Sequence, residues 1–471
     1  MFRKARALVC ASAHSSSHRN AAMFLVLPTL VFGLVIGLTG APRETPGSNA
    51  GAHDPGVRQG APGAGLPIAG LTANQLAFFS AGGASFAEVH SVTGSISNTS
   101  VGLGPRFDAE ACGQCHAQPA TGGTSPIPNP QVAVANDQGA TNQIPSFITN
   151  GGPVREVRFP YTFTGQVDGS VHGLFTITGR SDAPGCNIQQ PNFTEAQNLG
   201  DLIFRVPTPV FGTGLIEAIA DATILTGMTS NQPQKHQLGI AGRPNTSAND
   251  GTITRFGWKA QNKSMEVFAG EAFNVEIGVT NEMFNTERDQ TIGCQFNATP
   301  EDSTNFDSSG TALPSNVVLA TMFMRMLDQP TPGQSSPSTR HGQQVFVQIG
   351  CALCHTPSMQ TGQSTISALS NIQANLYSDL LLHHMGPNLA DNVSQGIAEG
   401  DEFRTAPLWG LGQRIFFMHD GRTADLVQTI LAHFSQGNSQ YRSSEGNGVV
   451  TNYNHLSTSD QQDLLNFLRS L

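Results

Sequence analysis

Positive charge is scarce in this chain. Lysine and arginine total 24 against 34 acidic residues over 471 positions, a formal net charge of −10. Setting aside the first 41 residues, which carry Arg3, Lys4, Arg6 and Arg19 and no acid, leaves 20 basic against 34 acidic residues, or −14. Such a body lacks the cationic surface that neutralises phosphates, so nucleic acid is not an expected partner. It is compatible with docking a basic electron-transfer protein. Of long apolar runs there is one, "AAMFLVLPTLVFGLVIGL" from Ala21 to Leu38, preceded by the basic stretch. It reads as an export signal, or as a retained N-terminal anchor, because Pro42 follows the small-residue site Thr39-Gly40-Ala41 and hinders cleavage there. Contact with a membrane is expected only through this segment, if it stays uncleaved. Cysteine is sparse too. There are seven, of which Cys10 precedes the apolar run and is no lipid-attachment cysteine of the usual placement.

The remaining six cysteines carry most of the information. Four stand in two motifs, "ACGQCH" with Cys112, Cys115 and His116, and "GCALCH" with Cys351, Cys354 and His355. A C-x-x-C pair suits a redox couple, half a zinc site or covalent attachment of c-type haem. Two thiols three positions apart reach the two vinyl groups of one porphyrin, and the histidine that follows turns under the ring to ligate iron. A disulfide oxidoreductase has no need of the histidines, and zinc knuckles would not lie so far apart. Two covalently bound haem c groups are the expectation, with His116 and His355 as axial ligands. Cys186 and Cys294 are left over and, in an oxidising compartment, read as a disulfide, with two free buried thiols as the alternative.

Glycine (51) and proline (28) are abundant and imply much irregular backbone. Residues 1–41 are the signal or anchor and 42–70, Gly/Pro/Ala-rich without hydrophobic period, a flexible tether. Residues 71–327 form an N-terminal haem domain and 328–338, "DQPTPGQSSPS", a linker. Residues 339–471 are a C-terminal cytochrome c-like domain closed by the amphipathic stretch Leu464, Phe467, Leu468 and Leu471. "QVAVA", "VREVRF" and "LFTITGR" between Gln131 and Arg180 are β-like. "SNVVLATMFMRML" is helical, with Leu319, Met322, Phe323 and Met326 on one face. The fold class is therefore mainly α: two cytochrome c-like haem domains, the first interrupted by a large irregular, partly β insertion.

Function turns on the opposite face of each iron, where a second strong ligand makes a wire and an open position allows small-molecule chemistry. In "TADLVQTILAHFSQG", His433 shares a helical face with Leu426 and Ile430 and points inward, either as a ligand of the second haem or as a satisfied core histidine. Met418 and Met385 compete with it, and His419 is placed to touch a haem edge or propionate. For the first haem no histidine or methionine follows His116 for many residues. His172 reads more readily as a structural, strand-borne histidine. Residues 255–284 combine Trp258, Gln261, Glu271 and Glu282, and a carboxylate above an open iron can move a proton between the two oxygens of bound peroxide. Exposed helix-surface acids are the plainer reading of the same spacing.

Taken together, "GLGPRFDAEACGQCHAQPATGGTSP", "VHGLFTITGRSDAPGC", "TITRFGWKAQNKS", "FNVEIGVTNEMF", "YSDLLLHHMGPNLAD" and "EFRTAPLWGLGQRIFFMHDGR" resemble the di-haem oxidoreductases, often labelled thiol oxidoreductases. These are related to bacterial di-haem cytochrome c peroxidases and to the di-haem enzymes that mature methylamine dehydrogenase. The similarity runs from about Leu71 to Leu471. It implies that the C-terminal haem takes in electrons and the N-terminal haem reacts. It places His433 where the peroxidases have a methionine ligand, Glu282 at their distal glutamate and Trp258 near their inter-haem tryptophan. Two histidines on the second iron would lower its potential relative to histidine and methionine. The peroxidases' distal histidine after the first haem and their interdomain calcium pattern are not evident, and calcium is not inferred. The implied protein is a periplasmic di-haem c-type oxidoreductase that draws electrons from a small donor protein or quinol chain and reduces peroxide or a similar oxidant. A non-catalytic electron carrier, or a maturation enzyme that oxidises thiols, with Cys186 and Cys294 its only candidates, are the alternatives.

Overall fold

The helices that frame this chain begin where a side-chain oxygen can take up the first free backbone N–H groups. The computed structural model describes residues 51–306 and 312–471. The expected signal or anchor, Cys10 and the start of the tether lie outside them. Thr72 and Gln75 form a capping box that opens helix α1 (Ala73–Ala87). Strands β1 (Glu156–Arg158) and β2 (Ile203–Arg205) pair antiparallel with Val157 opposite Phe204. Ser264 caps helix α2 (Met265–Glu276) and Ser315 caps α3 (Asn316–Met326). Helix α4 (Pro337–Gln348) starts at a Ser336–Thr339 box with proline in its first turn. Asp425 caps α5 (Leu426–Ala432), and Ser457 caps α6 (Thr458–Ser470). Among the described residues the strands form six two-stranded antiparallel pairs, and no helix is long and apolar enough to cross a membrane.

Two helix crossings build the frame, and each needs a glycine. A methyl group on Gly82 of α1 would strike the Leu319 carbonyl of α3, and one on Gly342 of α4 would strike the Asp463 carbonyl of α6. With backbones that close, Phe86 packs on Phe323 at 5.2 Å between ring centres and Phe346 on Phe467 at 5.4 Å. The α6 stripe Leu464, Phe467, Leu468 and Leu471 is buried as its spacing implies. Helix α3 differs from expectation. Val317, Ala320, Thr321 and Met324 are buried along with Phe323 and Met326, while Leu319 and Met322 are only half-buried, because α1 and α2 both pack on it.

Three further expectations need correction. "QVAVA" is not a strand: Gln131–Val134 is a helical turn, started by Pro130 with the Asn129 side chain accepting the Gln131 N–H. Residues 328–338 do not separate two cores. Met359, Leu369, Leu376, Leu380 and Trp409 belong to the same buried cluster as Phe107, Leu215 and Phe273. Residues 50–471 form one unit, with a second cluster around α4 and α6. Finally, residues 51–70 are a strap, not a free tether. Ile68 N–H donates to Met326, Asp328 to Leu66, Thr331 to Gly63 and Arg58 to Gly412. A sequence without hydrophobic period is held here by backbone hydrogen bonds and by one carboxylate, Asp54.

Asp54 accepts both Arg469 Nε and Nη2 at 2.7 Å and the Leu426 N–H at 2.8 Å. Burial pushes its carboxyl up, but Arg469 and the backbone donors outweigh that and hold it below the usual value. A depressed carboxyl contributes stability that is present above its unfolded pKa and disappears as pH falls through the folded one. Asp54→Asn is therefore expected to cost about 3 kcal/mol at neutral pH, measured by urea denaturation of the holoprotein. The gap between variant and wild type should close on acidification.

Candidate functional site

The two C-x-x-C-H motifs fold alike and open onto two cavities. Cys112–Cys115 and Cys351–Leu353 form short helical turns, after which the His116 and His355 N–H groups donate back to Cys112 and Cys351 at 3.0 and 2.9 Å. Each imidazole then donates Nδ1–H to a backbone carbonyl, Gly123 for His116 and Tyr377 for His355, both at 3.0 Å. His433, just past α5, does the same to Thr429 at 2.8 Å. That bond fixes the tautomer and leaves Nε2 as the lone-pair nitrogen, the arrangement of a metal-ligating histidine. Burial pulls both His116 and His355 down to about 4, so each imidazole is neutral at physiological pH. Burial likewise pushes the Cys112 and Cys351 thiols up to about 12. These are thiols in apolar surroundings, which disfavours the thiolates that zinc requires.

The first cavity is lined by Cys112, Cys115 and His116. It is also lined by α2, whose Phe268, Ala269, Ala272, Phe273 and Glu276 recur at three- and four-residue spacing and so face it together. The second cavity holds Cys351, Cys354, His355 and His433, with Met385, Met418 and His419 also on its wall. They enclose about 990 and 1370 Å³ between atoms, counting open solvent at their mouths. Trp258 lines both. Its indole N–H donates to the Val206 carbonyl at 2.9 Å, and Val206 N–H donates to His419 at 2.7 Å, so this wall is hydrogen-bonded across its thickness.

Each cavity suits a porphyrin with two carboxylates. In the second, Arg404 and Arg414 are buried and neither has a carboxylate partner among the described residues; burial pulls both down to about 10. In the first, Arg205 is paired with Asp391 and Arg155 donates Nη1–H to the Asp420 carbonyl, but the Nε of each is buried without a hydrogen-bond partner. Unpaired interior guanidiniums are costly unless an anion joins them, and haem propionates are such anions.

Ligand supply differs between the two. Lining the second cavity are two histidines with Nε2 free to bind metal and two thioethers. His116 is the single histidine of the first cavity, and its one methionine is Met324. Met324 neighbours Phe323 on α3, which packs on Phe86, itself edge-on to His116. On the α2 side two alanines leave space, flanked by Gln261, whose Oε1 is buried without a partner, and Glu276.

Glu282 is the principal correction. It is exposed, accepts the Thr304 N–H and does not line the cavity. The chain turns away after α2 at Gly278 (φ 73°), so the acid at the wall is Glu276, six positions earlier. Burial and the acids Glu156 and Glu271 push Glu276 up to about 8. Helical phase counted from Ala269 and Ala272 would have found it. His172 stacks on Phe159 at 4.0 Å and pairs with Asp168, away from both cavities. Glu271 is bonded by Asn262. His419 stacks on Phe403 at 4.3 Å. Cys186 and Cys294 are joined in a buried disulfide that closes a sequence separation of 108. Sequence reading also missed Arg404, Arg414 and His383, the last held between Asp379 and Glu445 at 2.9 and 2.7 Å.

A family model described as "Di-haem oxidoreductase, putative peroxidase" matches residues 154–471. The chain belongs to that family. The matched span contains α2, Trp258 and the second motif and begins after the first. Two solved structures are similar at low level. Kuenenia stuttgartiensis hydrazine synthase, pressurised with xenon, is 15% identical with TM-score 0.28, over 56% of this chain and 88% of that one. A MauG-like protein associated with microbial copper homeostasis is 14% identical with TM-score 0.30, over 56% and 90%. Overlays this weak carry no argument about fold or chemistry. No curated protein matches.

For a di-haem oxidoreductase, a buried cation beside the second haem stabilises an added electron. Arg414→Gln is expected to keep both haems bound and to lower one midpoint potential by several tens of millivolts. Spectroelectrochemical titration checks this, and an unchanged potential removes Arg414 from the haem's surroundings.

Proposed function

We propose that this di-haem oxidoreductase is an exported, periplasmic c-type enzyme. Its C-terminal haem, on Cys351, Cys354 and His355 with His433 opposite, takes electrons from a small donor protein or quinol chain. Its N-terminal haem, on Cys112, Cys115 and His116, reduces peroxide or a similar small oxidant. The unequal ligand supply of the two cavities carries this reading: His355 and His433 both line the second, whereas His116 is the single histidine of the first, to which α2 offers phenylalanines, alanines and an acid.

Bound haem would supply the coordination position and the electrons for breaking a peroxide bond. The chain supplies the rest. Ala269 and Ala272 clear room for a diatomic-sized ligand. Gln261 presents an unpartnered amide to orient it. Glu276, protonated at neutral pH, gives its proton to the departing oxygen. Trp258, common to both walls, passes electrons between them. The buried Cys186–Cys294 disulfide offers no exposed dithiol, so the geometry does not favour thiol oxidation.

Peptides spanning residues 111–123 and 350–357 of the mature protein should each carry the mass of one haem. Unmodified thiols in either would exclude covalent attachment there. The ferric enzyme should show one high-spin haem in its EPR spectrum, at rest or half-reduced. Two low-spin centres in both states would leave a carrier. Glu276→Gln is expected to lower peroxide turnover at least about 100-fold with both haems retained, whereas Glu282→Gln leaves it unchanged. Because the protonated acid is the active form and burial sets it near 8, wild-type turnover should fall as pH rises through about 8.

A further inference from the structure

A second carboxyl sits in the first cavity with no assigned task. Asp108 is only 4% exposed and lines the cavity together with Glu276. The two are neighbours through the backbone, since Asp108 N–H donates to the Glu276 carbonyl at 2.6 Å. Asp108 Oδ1 accepts the Leu174 N–H at 2.7 Å, while Oδ2 is buried and has no hydrogen-bond partner. A carboxylate in that setting would leave a charged oxygen unsolvated and unpaired, an arrangement proteins avoid by keeping the proton.

We propose that Asp108 is a second catalytic acid of the first cavity, holding at neutral pH the second of the two protons that peroxide reduction consumes. This rests on the peroxide reading above. The balance requires it: hydrogen peroxide, two electrons from a one-electron donor protein delivered through the two haems, and two protons give two waters. The O–O bond breaks, Glu276 protonates the oxygen that leaves first, and Asp108 protonates the one that remains.

The groups facing Asp108 favour its neutral form. Glu156 on β1 and Glu276 on α2 are acids; Arg288 is the cation that acts on it most, its guanidinium engaged by the Val171 carbonyl, while Arg158 on the same cavity is paired with Glu156. Burial and the two acids push the Asp108 carboxyl well above the usual range despite the Leu174 N–H and Arg288. Glu156 offers a route for reprotonation. Its side chain is 20% exposed and paired with Arg158 at 2.6 Å, and it lines the same cavity.

The test uses haem-loaded enzyme and Asp108→Asn, whose amide keeps an acceptor for Leu174 and puts an N–H where the acid has O–H. Infrared difference spectra of the ferric proteins at neutral pH should show a protonated-carboxyl C=O band in wild type that shifts in D2O and is missing from the variant. Glu276→Gln should retain one such band, which keeps the test decisive should Asp108→Asn fail to load haem. In a single turnover of reduced enzyme with hydrogen peroxide and a pH indicator, wild type should take up no proton during the fast phase. Asp108→Asn should take up one and react at least about 10-fold more slowly. Absence of the band, or a variant with unchanged rate and proton uptake, overturns the role of Asp108. A wild-type enzyme that leaves peroxide intact overturns the function itself, a result told apart by the infrared band, which needs no turnover.

Discussion

One buried ammonium holds the two haem cavities against each other. Lys259 is fully buried, and its Nζ lies 3.0 Å from Asp391 Oδ1 and 2.9 Å from the carbonyls of Glu399 and Glu402, over the Phe403 ring at 4.0 Å. Asp391 also binds Arg205 at 2.7 Å. Arg205 lines the first cavity and Phe403 the second, and Trp258, one residue before Lys259, lines both. Burial pulls Lys259 down to about 8, so the cage works against a desolvation cost. A pair of this kind gives a defined register more than net stability. Here the register is the position of the indole between the cavities, fixed further by Arg404 N–H donating to the Trp258 carbonyl at 2.9 Å.

The same wall explains why the molecule does not divide where its sequence suggests. Residues 359–381 pack into the N-terminal core, and residues 51–70 run back across both halves, bonded to Met326, Asp328 and Gly412 and tied by Asp54 to Arg469. A rigid joint suits electron transfer, since the separation of two redox centres then does not fluctuate with hinge motion. It also makes the strap part of the second cavity's support: Asp54 binds the first N–H of α5, the helix that presents His433.

Much of the site was legible because it is local. C-x-x-C-H is five residues whose spacing predicts one chemistry, and the place of His433 on the wall of the second cavity follows from helical phase with Leu426 and Ile430. What was missed is what long-range packing decides. Glu276 and Glu282 are both acids in one segment, and only the end of α2 and the turn at Gly278 settle which one meets the cavity. The phase of Ala269 and Ala272 would have decided it, where analogy with the peroxidases pointed six residues too far. The guanidiniums of Arg404 and Arg414 carry no sequence signal, because an arginine is expected at the surface until burial without a partner marks it as waiting for an anion. The strap was misread for the opposite reason: a Gly- and Pro-rich stretch lacks periodicity whether it floats or is hydrogen-bonded in place.

Both cavities hold guanidiniums, and they differ in their buried neutral acids. The second cavity carries the guanidiniums Arg404 and Arg414, while His383, whose burial disfavours its charge but whose neighbours, Asp379 among them, hold it well above the usual range, is matched by Glu445 on the same wall. A positive interior lowers the cost of adding an electron to a metal centre. The first cavity sets three carboxyls, Asp108, Glu156 and Glu276, beside Arg155, Arg158 and Arg205, and Asp108 and Glu276 are pushed upward by burial and by neighbouring acids. Neutral acids add little field but store protons. An enzyme that reduces an oxidant must bring both charges to one place without letting either accumulate alone, because an unbalanced charge in the interior is expensive. On the proposed function, electron acceptance behind one face of Trp258 and proton storage behind the other would meet that constraint, with the indole as the boundary across which only the electron needs to move.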